Sequence, residues 1–143
     1  MLQVLLFLLV AVAGGLGPGW PRSWRVPLWF CAALLGAVAV PLIVGGSASL
    51  GPQLTPFPRP VKAGTLKQDG VYRLVRHPIY GGGVLVAIAG SLATSPLALV
   101  PTVLLAALFE LKHRREELWL SDRYPEYEDY RRRVPRRFIP FVW

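Results

Sequence analysis

Cysteine is nearly absent from this 143-residue chain: Cys31 stands alone, which excludes an intrachain disulfide and a cysteine-built metal site. Acidic residues are scarce as well, with 8 Asp and Glu against 16 Lys and Arg. No Lys or Arg precedes Arg22, and the apolar run of residues 1–17 ends in Gly14, Gly15, Gly17, Pro18 and Gly19. A membrane helix is therefore expected there, not a signal peptide. No strand leads into a G-x-G-x-x-G turn and helix anywhere, so a Rossmann-type dinucleotide domain is excluded.

What the chain has in plenty is apolar sequence, 53% of its residues, which is too much for an ordinary small soluble domain. The pattern predicts an all-α integral membrane bundle of about four transmembrane helices with a cytoplasmic C-terminal helical tail. Two N-terminal spans fill residues 1–50, and residues 51–143 form a catalytic region that contains a transmembrane hairpin over 79–110. The second span, from about residue 26 to 50, reaches the roughly 20 residues needed to cross about 30 Å of hydrocarbon. Pro41 within it predicts a kink. Each arm of the hairpin is short for a full crossing. Trp20, Trp24 and Trp29 suit a headgroup-level aromatic belt.

Charge is segregated. Of the 16 basic residues, 14 follow Leu50, with only Arg22 and Arg25 in the first connection. Such asymmetry predicts that both termini and the long loop are cytoplasmic. It also favours membrane lipids over nucleic acid as partners, so the basic run from Arg131 to Arg137 is expected to lie on a lipid surface. Glycine and alanine faces in the second span would permit a dimer.

The loop of residues 51–76 contains four prolines from Pro52 to Pro60, which predict an extended path. A loop of that length is uncommon without a task. Its far end carries Gly-Val-Tyr-Arg-Leu-Val-Arg-His-Pro-Ile-Tyr-Gly-Gly-Gly over residues 70–83, a basic polar segment running straight into an apolar one. Pro78 suits the first turn of a helix, where its missing N–H costs nothing. The helix start would offer free N–H groups to an anion or a carboxylate. The three glycines would admit another backbone or a flat ligand. In the tail, Lys112, Glu116 and Leu120 recur at four-residue spacing, and Tyr124, Tyr127 and Tyr130 at three. The segment after Pro135 turns apolar again, which suggests docking against the bundle.

Gly70-Val71-Tyr72 with Arg76-His77-Pro78-Ile79-Tyr80, then Glu116-Glu117-x-x-Leu120, then Tyr127-x-x-Tyr130-x-x-x-Val134-Pro135, resembles the isoprenylcysteine carboxyl methyltransferase family and its phospholipid methyltransferase relatives. Leu54-Thr55-Pro56-Phe57-Pro58 resembles bacterial members. The resemblance covers roughly the last two thirds of the chain. It implies a membrane-embedded methyltransferase that uses S-adenosyl-L-methionine and a lipophilic or lipidated acceptor, with no metal. Carried over by position, it implies that Gly64, Thr65, Leu66, Lys67, Tyr72, His77, Pro78, Ile79, Tyr80 and Glu116 line the cofactor. Lys112, where the family usually has arginine, is implied to contact substrate, and His77 and Tyr80 are the implied catalytic pair.

The chemistry agrees with those residue types. Methyl transfer is an in-line displacement that disperses the positive charge of a sulfonium, so alignment and a desolvated pocket suffice. Electron-rich rings at Tyr72 and Tyr80 suit the cation, and Glu116 suits the ammonium or hydroxyl groups of the cofactor. A carboxylate acceptor needs no base, whereas an ammonium must first lose a proton, a task for His77. Duller roles are expected for neighbours. Arg73 and Arg76 would set topology and touch headgroups, Glu117 would pair with Lys112 or Arg114 on the helix surface, and His113 would be solvated. Two other function classes fit the sequence less well: a sterol-reductase-type enzyme using a nicotinamide cofactor, for which four short spans leave little room, and a non-catalytic membrane scaffold.

Overall fold

The computed structural model describes residues 1–54 and 64–142. Among the described residues it is wholly helical: α1 (Leu2–Leu16), α2 (Arg22–Leu50), α3 (Pro78–Thr94), α4 (Leu99–Arg123) and α5 (Tyr127–Arg133), with short 3-10 turns at Gly51–Gln53, Gly70–Arg73 and Pro96–Ala98. The extended path expected through Pro56, Pro58 and Pro60 lies outside the described residues, as do Thr55 and Phe57 of the Leu54-to-Pro58 resemblance. Two helical stretches are long and apolar enough to cross a membrane, Arg22–Gln53 and Pro96–Arg123, whereas α1 and α3 are shorter. At 1.5 Å per residue the 15 residues of α1 and 17 of α3 fall short of about 30 Å, so the four-span expectation is met at two helices. The second span begins at Arg22, earlier than its apolar run, and stays helical across Pro41. The fourth helix runs on to Arg123, well past the apolar run that ends at Phe109.

The chain divides into two compact units. The first comprises Met1–Val40 and Gly83–Leu108. In it α3 ends at Thr94, and its last carbonyls, which have no partner inside the helix, are taken by indoles. Trp20 Nε1 donates to Ser91 O and Trp29 Nε1 to Ala93 O, each at 3.0 Å. Trp20 and Trp29 thus do more than mark a membrane interface; Trp24 remains exposed. Ser95 accepts the Leu97 N–H at 3.2 Å and Pro96 takes the first position of the following turn, which reverses the chain into α4. Ser91 and Thr102 join α3 to α4 through a buried contact of 2.9 Å. Most large side chains of α1 and of the first part of α2 stay exposed, among them Leu5, Leu8, Val12, Phe30 and Leu34. Apolar surface on that scale fits contact with lipid.

The second unit comprises Pro41–Gly82 and Phe109–Trp143 and holds the motif of residues 70–83. Two glycines of α2 seat it. A Cβ on Gly45 would lie 2.8 Å from Val71 Cγ1, and one on Gly46 would lie 2.9 Å from Ile79 Cγ1 and 3.0 Å from Pro78 Cγ. Gly70 turns the chain at a φ of +56°, a value side-chain-bearing residues rarely adopt. The backbone of the tail then bonds to the motif: Arg76 N–H donates to Arg136 O at 3.1 Å and His77 N–H to Arg137 O at 2.7 Å. Gly81 is where the third backbone comes close, since a Cβ there would overlap the carbonyl of Phe138. Phe138 itself is fully buried, as the apolar return after Pro135 predicts.

Candidate active site

Site residues gather where the start of α3 faces the C-terminal half of α4, all within the second unit. Pro78 opens α3, as expected, and His77 O accepts the Gly81 N–H at 3.0 Å. The side chains of Pro78 and Ile79 are used against α2 at Gly46, so they set the position of the helix. Tyr80 points the other way. Its hydroxyl donates to Glu116 Oε2 at 2.8 Å, and its ring stacks on Phe109 at 4.9 Å between centroids. Lys112 Nζ lies 5.3 Å from the Tyr80 centroid and 5.9 Å from that of Phe109, within cation–π range of both.

His77 stacks parallel to Tyr80 at 5.6 Å. Its Nε2 is 3.2 Å from Glu117 Oε1, and its Nδ1 is 3.8 Å from Glu116 Oε2. A carboxylate accepts and does not donate, so Nε2 carries the hydrogen shared with Glu117 and Nδ1 is the nitrogen left to take a proton. The same Glu117 Oε1 accepts Arg76 Nε at 2.8 Å, and Arg76 Nη1 donates to Val134 O at 2.6 Å. Arg76 is only 6% exposed. It is therefore an internal clamp joining motif, α4 and tail, which corrects the expectation of a headgroup contact. Glu117 likewise is not a surface partner of Arg114, which pairs instead with Glu110 at 2.8 Å. A helix face explains both outcomes: Glu110, His113 and Glu117 fall at i, i+3 and i+7, one inward stripe that their spacing alone could have shown. His113, expected to be solvated, is 2% exposed, with its Nδ1 3.3 Å from Glu110 Oε2 and its ring edge-on to His77 and Phe138.

The remaining predicted positions divide. Tyr72 is buried, its carbonyl accepts the Tyr130 hydroxyl at 2.8 Å, and burial together with the nearby Glu116 charge pushes its own hydroxyl well above the usual tyrosine range. Tyr130 is shifted the same way, chiefly by burial, so both hydroxyls stay protonated and able to donate. The loop over Gly64, Thr65, Leu66 and Lys67 is brought to α5 and not to Tyr80. Gly64 O accepts the Tyr124 hydroxyl at 2.7 Å, Thr65 N–H donates to Gln53 Oε1 at 2.9 Å, and Leu66 packs on the buried cluster of Tyr127, Tyr130 and Val134. Beside that cluster lies a cleft of about 600 Å³ lined by Leu66, Gln68, Asp69, Arg73, Tyr130 and Arg133. The basic run of the tail is not uniform: Arg133 donates to Gln68 and Arg137 to Glu110, while Arg131 and Arg132 stay exposed beside Glu128 and Asp129.

The chain matches the phospholipid methyltransferase family over residues 28–127, well over half its length. It belongs to this family. The matched segment takes in the motif, the Glu116–Glu117 pair and the first residue of α5. Among curated proteins, this family member is 31% identical over 123 residues to the cobalt-zinc-cadmium resistance protein CzcN of Cupriavidus metallidurans, covering 83% of the chain and 53% of that protein. It is 31% identical over 90 residues to the Delta(14)-sterol reductase of Arabidopsis thaliana, covering 60% of the chain and 24% of the reductase. The chain thus spans about half the length of the first relative and a quarter of the second. Family membership and the two long apolar helices together mark a membrane methyltransferase family fold.

Proposed function

We propose that the chain is an integral membrane enzyme that transfers a methyl group from S-adenosyl-L-methionine to a lipophilic acceptor, a carboxylate of the isoprenylcysteine type or a lipid amine. The observation that carries this reading is the convergence of Tyr80, Phe109 and Glu116 on one point where a cation already sits, the ammonium of Lys112. Two stacked rings and a carboxylate are the donor set a sulfonium or an α-ammonium wants, so the residues fit the cofactor. When bound, S-adenosyl-L-methionine supplies an activated methyl group on a cationic sulfur.

The protein's share is binding, alignment and desolvation. Tyr80 offers the side of its ring that Lys112 Nζ faces, and His77, stacked parallel to it at 5.6 Å, braces the ring. Glu116 binds positive or hydroxyl groups of the cofactor while held by the Tyr80 hydroxyl. Arg76 and Glu117 fix His77, leaving Nδ1 as the proton acceptor for an amine acceptor; a carboxylate acceptor would leave it idle. Lys112, whose ammonium faces the Tyr80 and Phe109 rings, would bring its charge to an anionic acceptor group on leaving them. The loop from Gly64 to Lys67, with Tyr72, borders the nucleoside end, next to the cleft lined by Asp69 and Gln68. The charge asymmetry supports a cytoplasm-facing site, and the resemblance of the segment from Leu54 to Pro58 to bacterial members supports a bacterial inner membrane.

Similarity to a sterol reductase over 90 residues favours a second reading, in which the same region holds a nicotinamide cofactor. Calorimetric titration of the detergent-solubilised protein with S-adenosylhomocysteine and with NADPH separates the two. Saturable binding of the former alone, lost in His77→Ala, is expected. Binding of NADPH alone would transfer the assignment to the reductases, and binding of neither would leave a non-catalytic scaffold.

A further inference from the structure

Lys112 is placed oddly for a residue whose only task is to meet an acceptor. Its ammonium faces the rings of Tyr80 and Phe109, and Glu116 lies one helical turn on, so the chain's own cation fills the place best suited to a ligand's cation. The Tyr80 hydroxyl bond to Glu116 ties rings and carboxylate into one unit, which means the whole arrangement is engaged at once. Two cations cannot share it. At about 4 Å, in the intermediate dielectric of a half-buried site, their repulsion is several times thermal energy. The lysine stem is long, flexible and only half buried, so the ammonium can swing out without unfolding α4.

We propose that Lys112 is a resident cation of the Tyr80–Phe109 pair, exchanged for the sulfonium when S-adenosyl-L-methionine binds and left in place when the neutral thioether S-adenosylhomocysteine binds. The inference rests on the methyltransferase reading and deepens it. Exchange levels the site's preference for a charged sulfur: the cationic donor only replaces one favourable cation–π contact with another, whereas the neutral product binds without displacing Lys112. It also couples donor binding to release of an ammonium toward the acceptor side.

The test measures binding and lysine reactivity, not turnover. In the wild-type protein, acetylation of Lys112 by an amine-reactive ester, read by peptide mass spectrometry, is expected to rise about threefold with saturating S-adenosyl-L-methionine and to stay unchanged with S-adenosylhomocysteine, as loss of a cation–π contact would produce. In Lys112→Met, which keeps the stem and removes the charge, calorimetry is expected to show the affinity ratio shifting about tenfold in favour of the sulfonium ligand. Lys112→Arg keeps a cation and should retain the wild-type ratio. If both ligands bind but acetylation responds equally to each and Lys112→Met leaves the ratio alone, exchange is overturned while the methyltransferase pocket stands. If neither ligand binds the wild-type protein, the methyltransferase reading falls and exchange falls with it. Should Lys112→Met not fold, the wild-type acetylation result decides.

Discussion

In the unit of Met1–Val40 and Gly83–Leu108 the buried polar residues are Ser91, Ser95 and Thr102; in the unit of Pro41–Gly82 and Phe109–Trp143 they are Arg76, His77 and His113. The hydroxyls of the first unit all find backbone partners close by, at Ala87 O, Leu97 N and Ala98 O. Arg76 and His77 of the second reach across sequence to Glu117 on α4, and His113 faces Glu110 three residues before it. A buried hydroxyl bonded to its own helix costs little and fixes how helices pair, whereas a buried charge costs several kcal/mol of desolvation and must be matched. Even so, His113 Nδ1 and Glu110 Oε2 face each other at 3.3 Å without a well-directed hydrogen bond, and neither has another partner among the described residues. Incomplete satisfaction in one unit and near-complete satisfaction in the other is what separates a site from a scaffold.

Removing the central carboxylate should break this contrast most visibly. Glu117→Ala leaves Arg76 buried without its counter-charge and His77 without its partner, and the loss should be about 3–5 kcal/mol. Denaturant unfolding in detergent would measure it. Glu117→Gln, which still accepts from Arg76, should lose markedly less. A Glu117→Ala protein as stable as wild type would mean that the Arg76 cluster does not hold the unit together.

Gly81→Ala comes next. The new methyl would overlap the Phe138 carbonyl, so the tail must move off α3 or the helix must shift, an overpacking cost of about 1–3 kcal/mol. Limited proteolysis should show cleavage after Pro135 rising in the variant while α1 to α3 stay protected. Uniform protection throughout would show that the tail pairing at Arg76 and His77 tolerates the shift.

How much of this was legible in the sequence follows the same division. Helix existence, the start of α3 at Pro78, the hairpin over 79–110 and the docking of the segment after Pro135 were all readable from apolar runs, prolines and glycines. Those signals are local. The juxtaposition of Tyr80 with Glu116 was reached only through family resemblance, because 36 residues separate them and no local rule pairs them. Arg76, Glu117 and His113 were misread for a different reason. A charged side chain is usually solvated, and only the i, i+3, i+7 stripe of α4 hinted that this face turns inward. Phe109 was counted as the end of an apolar run when it is a wall of the site.

In the first unit the matching test is Ser91→Ala. It removes a buried hydroxyl that bonds Ala87 O and meets Thr102, but Thr102 keeps Ala98 O as an acceptor, so no group is stranded. The expected loss is about 1 kcal/mol by denaturant unfolding, with S-adenosylhomocysteine affinity unchanged. A loss rivalling Glu117→Ala would erase the contrast between the units.

The smallest effect should come from Arg114→Ala. Arg114 sits four residues after Glu110 and its side chain is 67% exposed, so the pair is screened by solvent and contributes at most about 0.3–0.5 kcal/mol. Glu110 is not abandoned by the change, since Arg137 Nη1 lies 3.3 Å from the same oxygen and His113 faces the other. That redundancy sharpens the comparison inside a single helix: Glu110 shares its charge between an exposed arginine and an inner one, while Glu117 serves two buried partners. Arg137→Ala should accordingly cost more than Arg114→Ala, because it removes the half-buried partner and loosens the tail whose carbonyl holds the His77 N–H. Equal stabilities for the two variants would mean that the backbone pairing alone anchors the tail.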